Sequence, residues 1–322
     1  MTNSTSTVSL GVTVGPVRLK NPVLTASGTC GYGLDLLPYV DPSSLGGIVC
    51  KSLSLAPRQG NKPTRLAETP SGMLNSIGLQ NIGIEAFIRD KLPRLRRYDT
   101  AIIANIFGET ADQFGELAAR LEQTEGMAAV ELNISCPNTS RGGIEFGVDP
   151  KEAAHVTRAV RRATHLPVIV KLSPNVTDIT VIARAAAEAG ADILSLVNTY
   201  TGMAIDVHSG HPVLSSGAGG LSGPAIRPLA VHQVYSVARA VDLPLIGIGG
   251  IRTGRDALEF LMAGASAVQV GTATFTEPAA TVRIISELRE HCLEHRVTDI
   301  TSLIGAVHRA DAPRATPEGD QP

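Results

Sequence analysis

The chain has 322 residues, of which 43% are hydrophobic and 18% are charged, with 32 glycines and 20 prolines. This composition is typical of a globular protein with a large core and many tight turns, and it excludes a fibrous or disordered chain. The formal net charge of -2 provides no basic field that would hold nucleic acid or an anionic membrane.

The first ten residues, MTNSTSTVSL, have neither the charged nor the apolar segment of a secretion signal. No apolar run approaches the roughly 18 residues that a membrane span needs. We therefore expect a cytoplasmic protein with no membrane or nucleic-acid partner.

Residues 8–23, VSLGVTVGPVRLKNPV, alternate apolar and polar side chains around Gly15 and Pro16, which predicts a β-hairpin. Short, continuous apolar runs then recur along the chain, as expected for parallel strands covered on both faces. Eight such runs are found, which is the number that closes a barrel. They are Pro22–Ser27, Gly47–Ser52, Ala101–Ile106, Ala129–Ser135, Pro167–Ser173, Asp192–Asn198, Pro244–Gly250 and Ala267–Thr272.

Helical patterns separate many of these runs, and several begin with Asp or Pro in the first turn. Alternating βα units of this length predict a (β/α)8 TIM barrel, with the hairpin closing its bottom. We expect a single domain over residues 1–309 and a disordered tail over residues 310–322. The predicted helices are Thr110–Glu122, Pro150–Thr164, Asp178–Ala189, Pro224–Val241, Gly254–Ala263 and Pro278–His295.

Two connections, Leu53–Thr100 and Thr199–Gly223, are too long for simple crossovers. Both leave the carboxyl end of a predicted strand, which is the active-site face of this fold. We interpret them as loops that cover a substrate.

Polar residues stand at the carboxyl ends of at least seven predicted strands. A single such residue usually ties down a loop, but each unpaired buried polar group costs about 1–3 kcal/mol, so a whole rim implies a polar ligand. The rim comprises Ser27, Gly28, Lys51, Ser52, Asn105, Asn133, Cys136, Lys171, Asn198, Thr199, Gly249, Gly250, Gly271 and Thr272.

The seventh and eighth strands end in IGIGGIRTG and VQVGTATF, at the position where barrels commonly bind phosphate through backbone N–H groups. Gly249, Gly250 and Gly271 would allow close approach, although glycines here can also serve only as turns. No glycine run has dinucleotide-binding spacing. The pattern favours a mononucleotide, such as FMN, that lies over the barrel mouth.

Lys171 ends the fifth strand, where a fixed cation would stabilise the negative charge of reduced flavin. A lysine inside an apolar barrel can instead be the Schiff-base nucleophile of a flavin-free lyase. That alternative assigns no purpose to the amides around it.

The four cysteines, Cys30, Cys50, Cys136 and Cys292, lie far apart and form no metal-binding pattern, so we expect no metal. Cys136 lies in ELNISCPN, at the predicted barrel mouth. A thiol there can abstract a proton once its pKa is lowered from about 8.5. Asn133 and Asn138 flank it and can bind a planar, amide-rich ring.

Six motifs together make the chain resemble the class 1 dihydroorotate dehydrogenases, from about Val8 to His295. They are ELNISCPN, ETPSGMLNSIGLQN, VKLSPN, VNTYTGMAID, GGLSGPAIRP and IGIGGIRTGRDALEFLMAGASAVQVGT. The resemblance implies oxidation of (S)-dihydroorotate to orotate in pyrimidine biosynthesis, with Cys136 as the base and hydride transfer to FMN.

The resemblance also implies the ligand contacts. FMN contacts are expected from Ser27, Lys51, Ser52, Asn105, Asn133, Lys171, Val197, Gly223, Gly249, Gly250, Gly271 and Thr272. Substrate contacts are expected from Lys51, Asn75, Ser76, Ile77, Gly78, Leu79, Asn133, Asn138, Asn198 and Thr199.

Within class 1, CPNTSRGGIEFGVDP and the segment from Asn198 to Pro228 are more similar to the NAD-linked subclass. Tyr200 departs from that pattern, in which an aliphatic residue is expected at this position. We expect this departure to affect only the packing of the loop. The subclass implies a homodimer core with a partner subunit that carries FAD and an iron–sulfur centre. A fumarate-linked class 1 enzyme and a flavin oxidoreductase of another dihydropyrimidine remain alternatives.

Overall fold

The computed structural model describes residues 8–135, 137–138 and 144–310. Cys136 and the tail beyond residue 310 lie outside the described residues, and so does the side chain of Asn138. The division into a domain over residues 1–309 and a tail stays a prediction.

Eight parallel strands close into a barrel, as the sequence predicts. Their side chains are almost all buried, because the interior covers one face and the helices cover the other. The strands are Val23–Thr25, Gly47–Val49, Ala101–Ile106, Ala129–Asn133, Val168–Lys171, Ile193–Leu196, Leu245–Ile248 and Ala265–Val270. Each overlaps the apolar run that predicts it.

Six longer helices follow barrel strands, also as predicted. Thr110, Asp149, Asp178 and Thr253 cap four of them by accepting hydrogen bonds from backbone N–H groups of the first turn. The six are Ala111–Glu122, Pro150–Ala163, Ile179–Glu188, Arg227–Ala238, Gly254–Met262 and Ala280–Glu294. No helix in the described part of the chain has the length and apolar character to span a membrane.

The shorter helical segments fill connections. They are Leu34–Leu36, Pro42–Ser44, Ile84–Ala86, Phe87–Lys91, Leu92–Leu95, Phe146–Val148, Pro224–Ile226, Ala273–Thr276, Ile300–Leu303 and Ala306–Ala310.

The predicted N-terminal hairpin is present, with antiparallel strands Val12–Val14 and Val17–Leu19. Its turn residue Gly15 has a φ of 55°, and a Cβ there would lie 3.1 Å from the Ile193 side chain and 3.3 Å from the Asp192 carbonyl. Both neighbours lie where the sixth barrel strand begins, so the hairpin closes the amino end of the barrel.

The two long connections combine into one antiparallel sheet, which we call the lid sheet. Its strands, in spatial order, are Tyr200–Gly202, Gly219–Ser222, Gly72–Asn75 and Leu66–Thr69. Two further hairpins pair Ile205–Asp206 with His211–Pro212, and Pro137–Asn138 with Ile144–Glu145. Segments remote in sequence therefore meet beside the carboxyl ends of the strands.

Glu122 ties the end of its helix to the segment entering the fifth strand. Its carboxylate accepts hydrogen bonds from the Thr164 hydroxyl at 2.5 Å and from the backbone N–H of His165 at 2.8 Å. These bonds lower the pKa of Glu122 from 4.5 to about 2, and the bond from Thr164 has the largest effect.

We expect Glu122→Gln to lower the free energy of unfolding at pH 7 by about 1 kcal/mol, since a charged acceptor is lost. The folded-state pKa is depressed, so this stabilisation is present above pH 4.5 and disappears as the pH falls towards 2. Chemical denaturation across this range measures the effect, and exposed Glu116→Gln on the same helix is the control. Parallel pH profiles for wild type and Glu122→Gln would contradict the assignment.

Candidate active site

The carboxyl ends of the barrel strands meet at one mouth, and the predicted residues of six strands stand there. Asn105, Asn133 and Lys171 belong to the third, fourth and fifth strands, and the others follow the first, second and sixth. This group comprises Ser27, Lys51, Ser52, Asn105, Asn133, Lys171, Val197, Asn198 and Thr199.

Hydrogen bonds connect four of these residues across neighbouring loops and strands. The Asn198 amide donates to Asn133 Oδ1 at 3.3 Å, and the Asn133 amide donates to Ser52 Oγ at 3.5 Å. The Ser52 hydroxyl in turn donates to Asn105 Oδ1 at 2.5 Å. The structure thus assembles predicted residues from four strands into one polar surface.

Beneath this surface lies Glu131, a residue that the sequence analysis missed. It is fully buried, and it accepts hydrogen bonds from the Asn105 amide at 2.7 Å, the Ser195 hydroxyl at 2.9 Å and the Gln269 amide at 2.6 Å. The signal in the sequence is weak but present: Glu131 lies two residues before Asn133 in its strand, and alternate residues share a face.

Lys171 is 6% exposed, and its Nζ lies 4.0 Å from Glu131 Oε1. No described residue accepts a hydrogen bond from this ammonium group. A buried ammonium without acceptors is costly, so this arrangement favours a ligand that presents acceptor atoms to Lys171.

Lys51 is half-buried, and burial lowers the pKa of its ammonium group. The positive charge of Arg65 lowers it further, and Asp35 opposes both effects. Two cations therefore lie close together beside the mouth, which suits an anionic ligand.

The predicted substrate segment Asn75–Leu79 runs along the lid sheet, next to Arg65. The Ser76 N–H donates to the Arg65 carbonyl at 2.9 Å, and the Asn75 amide donates to the Gly220 carbonyl at 3.3 Å. The Ser76 hydroxyl is buried without a partner among the described residues, and Leu79 has a φ of 57°. The segment thus presents one unsatisfied hydroxyl group, that of Ser76, on a constrained backbone.

Glycines crowd together where the seventh and eighth strands end. A Cβ on Gly250 would lie 2.7 Å from the Gly223 carbonyl, and one on Gly249 would lie 2.8 Å from the Ala230 Cβ. Gly223, Gly250, Gly271 and Thr272 all line a cavity of about 270 Å³. The lid residues Glu68–Met73 close its other side.

These features fit FMN. The glycine-lined cavity offers backbone N–H groups to a phosphate. At the other end, the Lys171 ammonium offers a hydrogen-bond donor, which matches the carbonyl edge of a pyrimidine-like ring.

Cys136, the predicted base, lies outside the described residues. Around it, the paired segments Pro137–Asn138 and Ile144–Glu145 are described, and burial raises the pKa of Glu145. The Ser173 hydroxyl donates to Glu145 at 3.5 Å and partly offsets this effect. Glu145 therefore lies beside the segment that follows the fifth strand.

Tyr200, the departure from the expected pattern, lies in a lid strand and packs against the hydrophobic core. Burial raises the pKa of its hydroxyl group. Tyr200 thus contributes to the packing of the lid against the core, and the effect of an aliphatic residue there stays a prediction.

Fold and site together are those of an FMN-dependent oxidoreductase built on a (β/α)8 barrel. A family model described as "Dihydroorotate dehydrogenase" matches residues 9–292. The chain belongs to the dihydroorotate dehydrogenase family.

Similar proteins carry the description "Dihydroorotate dehydrogenase B (NAD(+)), catalytic subunit". One from Citrifermentans bemidjiense is 54% identical over 92% of this chain and 98% of its own length. One from Desulforudis audaxviator is 54% identical over 94% of this chain and 98% of its own. One from Pelobacter propionicus is 56% identical over 92% of this chain and 97% of its own length.

We expect Gly250→Ala to lower the melting temperature and to weaken FMN retention. Gly250 has a φ of 72°, and an added Cβ would also lie 2.8 Å from the Arg227 Cβ, so the loop must move away from the cavity. The combined strain and crowding should cost about 2 kcal/mol or more.

Gly210→Ala is the matched control. Gly210 has a φ of 71° with no atom within 4 Å of an added Cβ, so it carries the backbone strain without the crowding. Differential scanning fluorimetry and FMN titration measure both variants. Equal FMN affinity in Gly250→Ala and wild type would contradict the placement of the phosphate.

Proposed function

We propose that this chain is the catalytic subunit of an NAD-linked dihydroorotate dehydrogenase, which oxidises (S)-dihydroorotate to orotate in pyrimidine biosynthesis. The observation that carries the proposal is the buried Lys171 ammonium, which has no hydrogen-bond acceptor among the described residues and faces a mouth lined with amides. The descriptions of the similar proteins support the same activity.

FMN, when bound, supplies the acceptor for the hydride that leaves C6 of the substrate. Lys171, Asn105, Ser52 and Asn133 would hold its ring end, while Gly223, Gly249, Gly250, Gly271 and Thr272 would hold its phosphate. Lys171 would place a positive charge beside the pyrimidine part of the ring, where negative charge develops on reduction.

The substrate is an anion, and it would lie against the segment Asn75–Leu79, with Lys51 near its carboxylate. Asn133, Asn138, Asn198 and Thr199 would bind its amide edges. The bond of Asn198 to Asn133 at 3.3 Å and that of the Thr199 N–H to Asn198 Oδ1 at 2.8 Å hold part of this group in place.

Cys136 would act as the base that removes the proton from C5. A thiolate can do this near neutral pH, whereas a serine hydroxyl is a far weaker acid and is almost never ionised there. Lys51 and Arg65 lie close together, and their positive charges would favour a thiolate at the mouth.

We expect anaerobic addition of dihydroorotate to bleach the absorbance of the bound flavin in wild-type protein. Cys136→Ser should still bind orotate, but its bleaching rate near pH 7 should fall by at least about 100-fold, with partial recovery at high pH. Stopped-flow absorbance measures the rate, and orotate titration shows that the site is intact.

A colourless protein that fails to bind added FMN would defeat the proposal, and equal bleaching rates for wild type and Cys136→Ser would exclude Cys136 as the base. Covalent trapping of Lys171 by borohydride with a carbonyl substrate would support the lyase alternative instead.

Electrons must leave the reduced enzyme, and we infer that a second subunit carries them to NAD. The sequence has no dinucleotide fingerprint, and its four separate cysteines offer no iron–sulfur pattern. The description "catalytic subunit" of the similar proteins supports a partner. We propose that this partner carries FAD and an iron–sulfur centre, and that the complex is built on a homodimer of this chain in the cytoplasm.

We expect the isolated chain to reduce dyes with dihydroorotate as the donor, but to reduce NAD at less than about one hundredth of that rate. Reconstitution with the co-expressed partner should restore NAD reduction, measured at 340 nm. Efficient NAD reduction by the chain alone, or rapid reoxidation by fumarate, would contradict the assignment to this subclass.

A further inference from the structure

The carboxylate of Glu131 lies inside the barrel beneath the proposed flavin site. Glu131 is fully buried, in the fourth strand, Ala129–Asn133. We propose that Glu131 is a positioning residue that sets the charge balance around Lys171 and thereby fixes the reduction potential of the bound flavin. The inference rests on the proposed function and adds a residue to it.

The contacts of Glu131 come from four other strands of the barrel. Oε1 accepts from Asn105 on the third strand, and Oε2 accepts from Ser195 on the sixth and Gln269 on the eighth. Lys171 on the fifth strand lies 4.0 Å away. All four neighbours present N–H or O–H donors, so the environment suits an ionised carboxylate.

Packing alone does not explain a charge in this position. Barrel interiors are usually filled by branched apolar side chains, and a well-packed apolar cluster is often as stable as a buried ion pair or more so. A buried carboxylate with this many donors is therefore better explained by its effect on the groups around it.

The geometry limits how Glu131 acts on Lys171. At 4.0 Å the two groups attract each other, yet the ammonium makes no direct hydrogen bond to the carboxylate. Lys171 thus keeps its donors for the ligand, while the negative charge of Glu131 offsets part of the positive charge that the ligand experiences.

Glu131 also orients the polar surface of the mouth through Asn105. The amide of Asn105 donates to Glu131, which leaves Asn105 Oδ1 to accept from the Ser52 hydroxyl. Ser52 then receives the amide of Asn133. One buried carboxylate therefore fixes the amide orientation of Asn105 and the proton direction of Ser52, both of which face the proposed flavin.

The electrostatic consequence has a definite sign. Without Glu131, the charge of Lys171 acts unopposed on the negative charge of the reduced flavin, so the reduced form gains stability. Loss of Glu131 should therefore raise the reduction potential, whereas loss of Lys171 should lower it. A residue that only supported the fold, or only held Lys171 in place, would not produce this pair of opposite shifts.

The test uses the purified holoprotein, with the flavin potential measured by spectroelectrochemistry. Glu131→Gln keeps the shape and removes the charge. We expect it to favour the reduced flavin on the order of tenfold, which is about 30 mV upward for a two-electron couple. Lys171→Gln should shift the potential downward.

Further variants distinguish the effect of the Glu131 charge from that of a changed side-chain shape. Glu131→Gln combined with Gln269→Glu moves the carboxylate across an existing 2.6 Å hydrogen bond and should restore a potential near that of wild type. Glu122→Gln removes a hydrogen-bonded carboxylate at the end of the helix Ala111–Glu122, away from the mouth, and it should leave the potential unchanged. If Glu131→Gln does not fold, Glu131→Met provides a second uncharged side chain of similar length, with the same upward shift expected.

An unchanged or lowered potential in the uncharged Glu131 variants would overturn the proposal. FMN titration of the apoproteins measures cofactor binding separately from the reduction potential. It therefore distinguishes failure of this proposal from failure of the proposed function. A wild-type protein that binds no FMN would refute the function, whereas normal FMN binding and reduction in wild type with an unshifted Glu131→Gln would refute the role of Glu131 alone.

Discussion

Closure of eight parallel strands into a barrel forces all of their carboxyl ends into one mouth, and the site depends on this constraint. Inward side chains near those ends cannot all be apolar if a polar ligand is to bind there. The structure contains a hydrogen-bonded cluster in which Glu131 accepts from three other strands, and Lys171 of a fourth strand lies 4.0 Å away. Lys171 has no hydrogen-bond acceptor among the described residues and is available to a ligand.

The lid sheet covers the site from outside the barrel. Its four strands come from two connections that are far apart in sequence, and Gly72–Asn75 pairs directly with Gly219–Ser222. Gly72 and Gly223 have no side chains, so the two connections can approach closely; a Cβ on Gly223 would lie 2.8 Å from the Gly72 Cα. The two connections therefore form one wall of the cavity. Exclusion of water by such a wall strengthens the electrostatic effect of Lys171 and Lys51 on a bound anion.

The barrel strands, the outer helices and the N-terminal hairpin are predicted from local patterns. Apolar runs and capping residues determine these elements through residues only a few positions apart in sequence. The lid sheet was expected only as loops, since GMLN and GGLS have little strand propensity and pair across a long separation. Glu131 was missed because its partners are distant in sequence and appear as isolated polar residues in apolar runs. Motif resemblance, not physical pattern, supplied Val197, Gly223 and the substrate segment.

We propose that the fold holds Lys171 for the pyrimidine end of FMN. A crystal structure of the protein with FMN and orotate would show this contact. We expect Lys171 Nζ within hydrogen-bond distance of the pyrimidine ring, with Glu131 still bound to Asn105, Ser195 and Gln269. A Lys171 ammonium paired directly with Glu131, with the pyrimidine ring facing another part of the mouth, would contradict it.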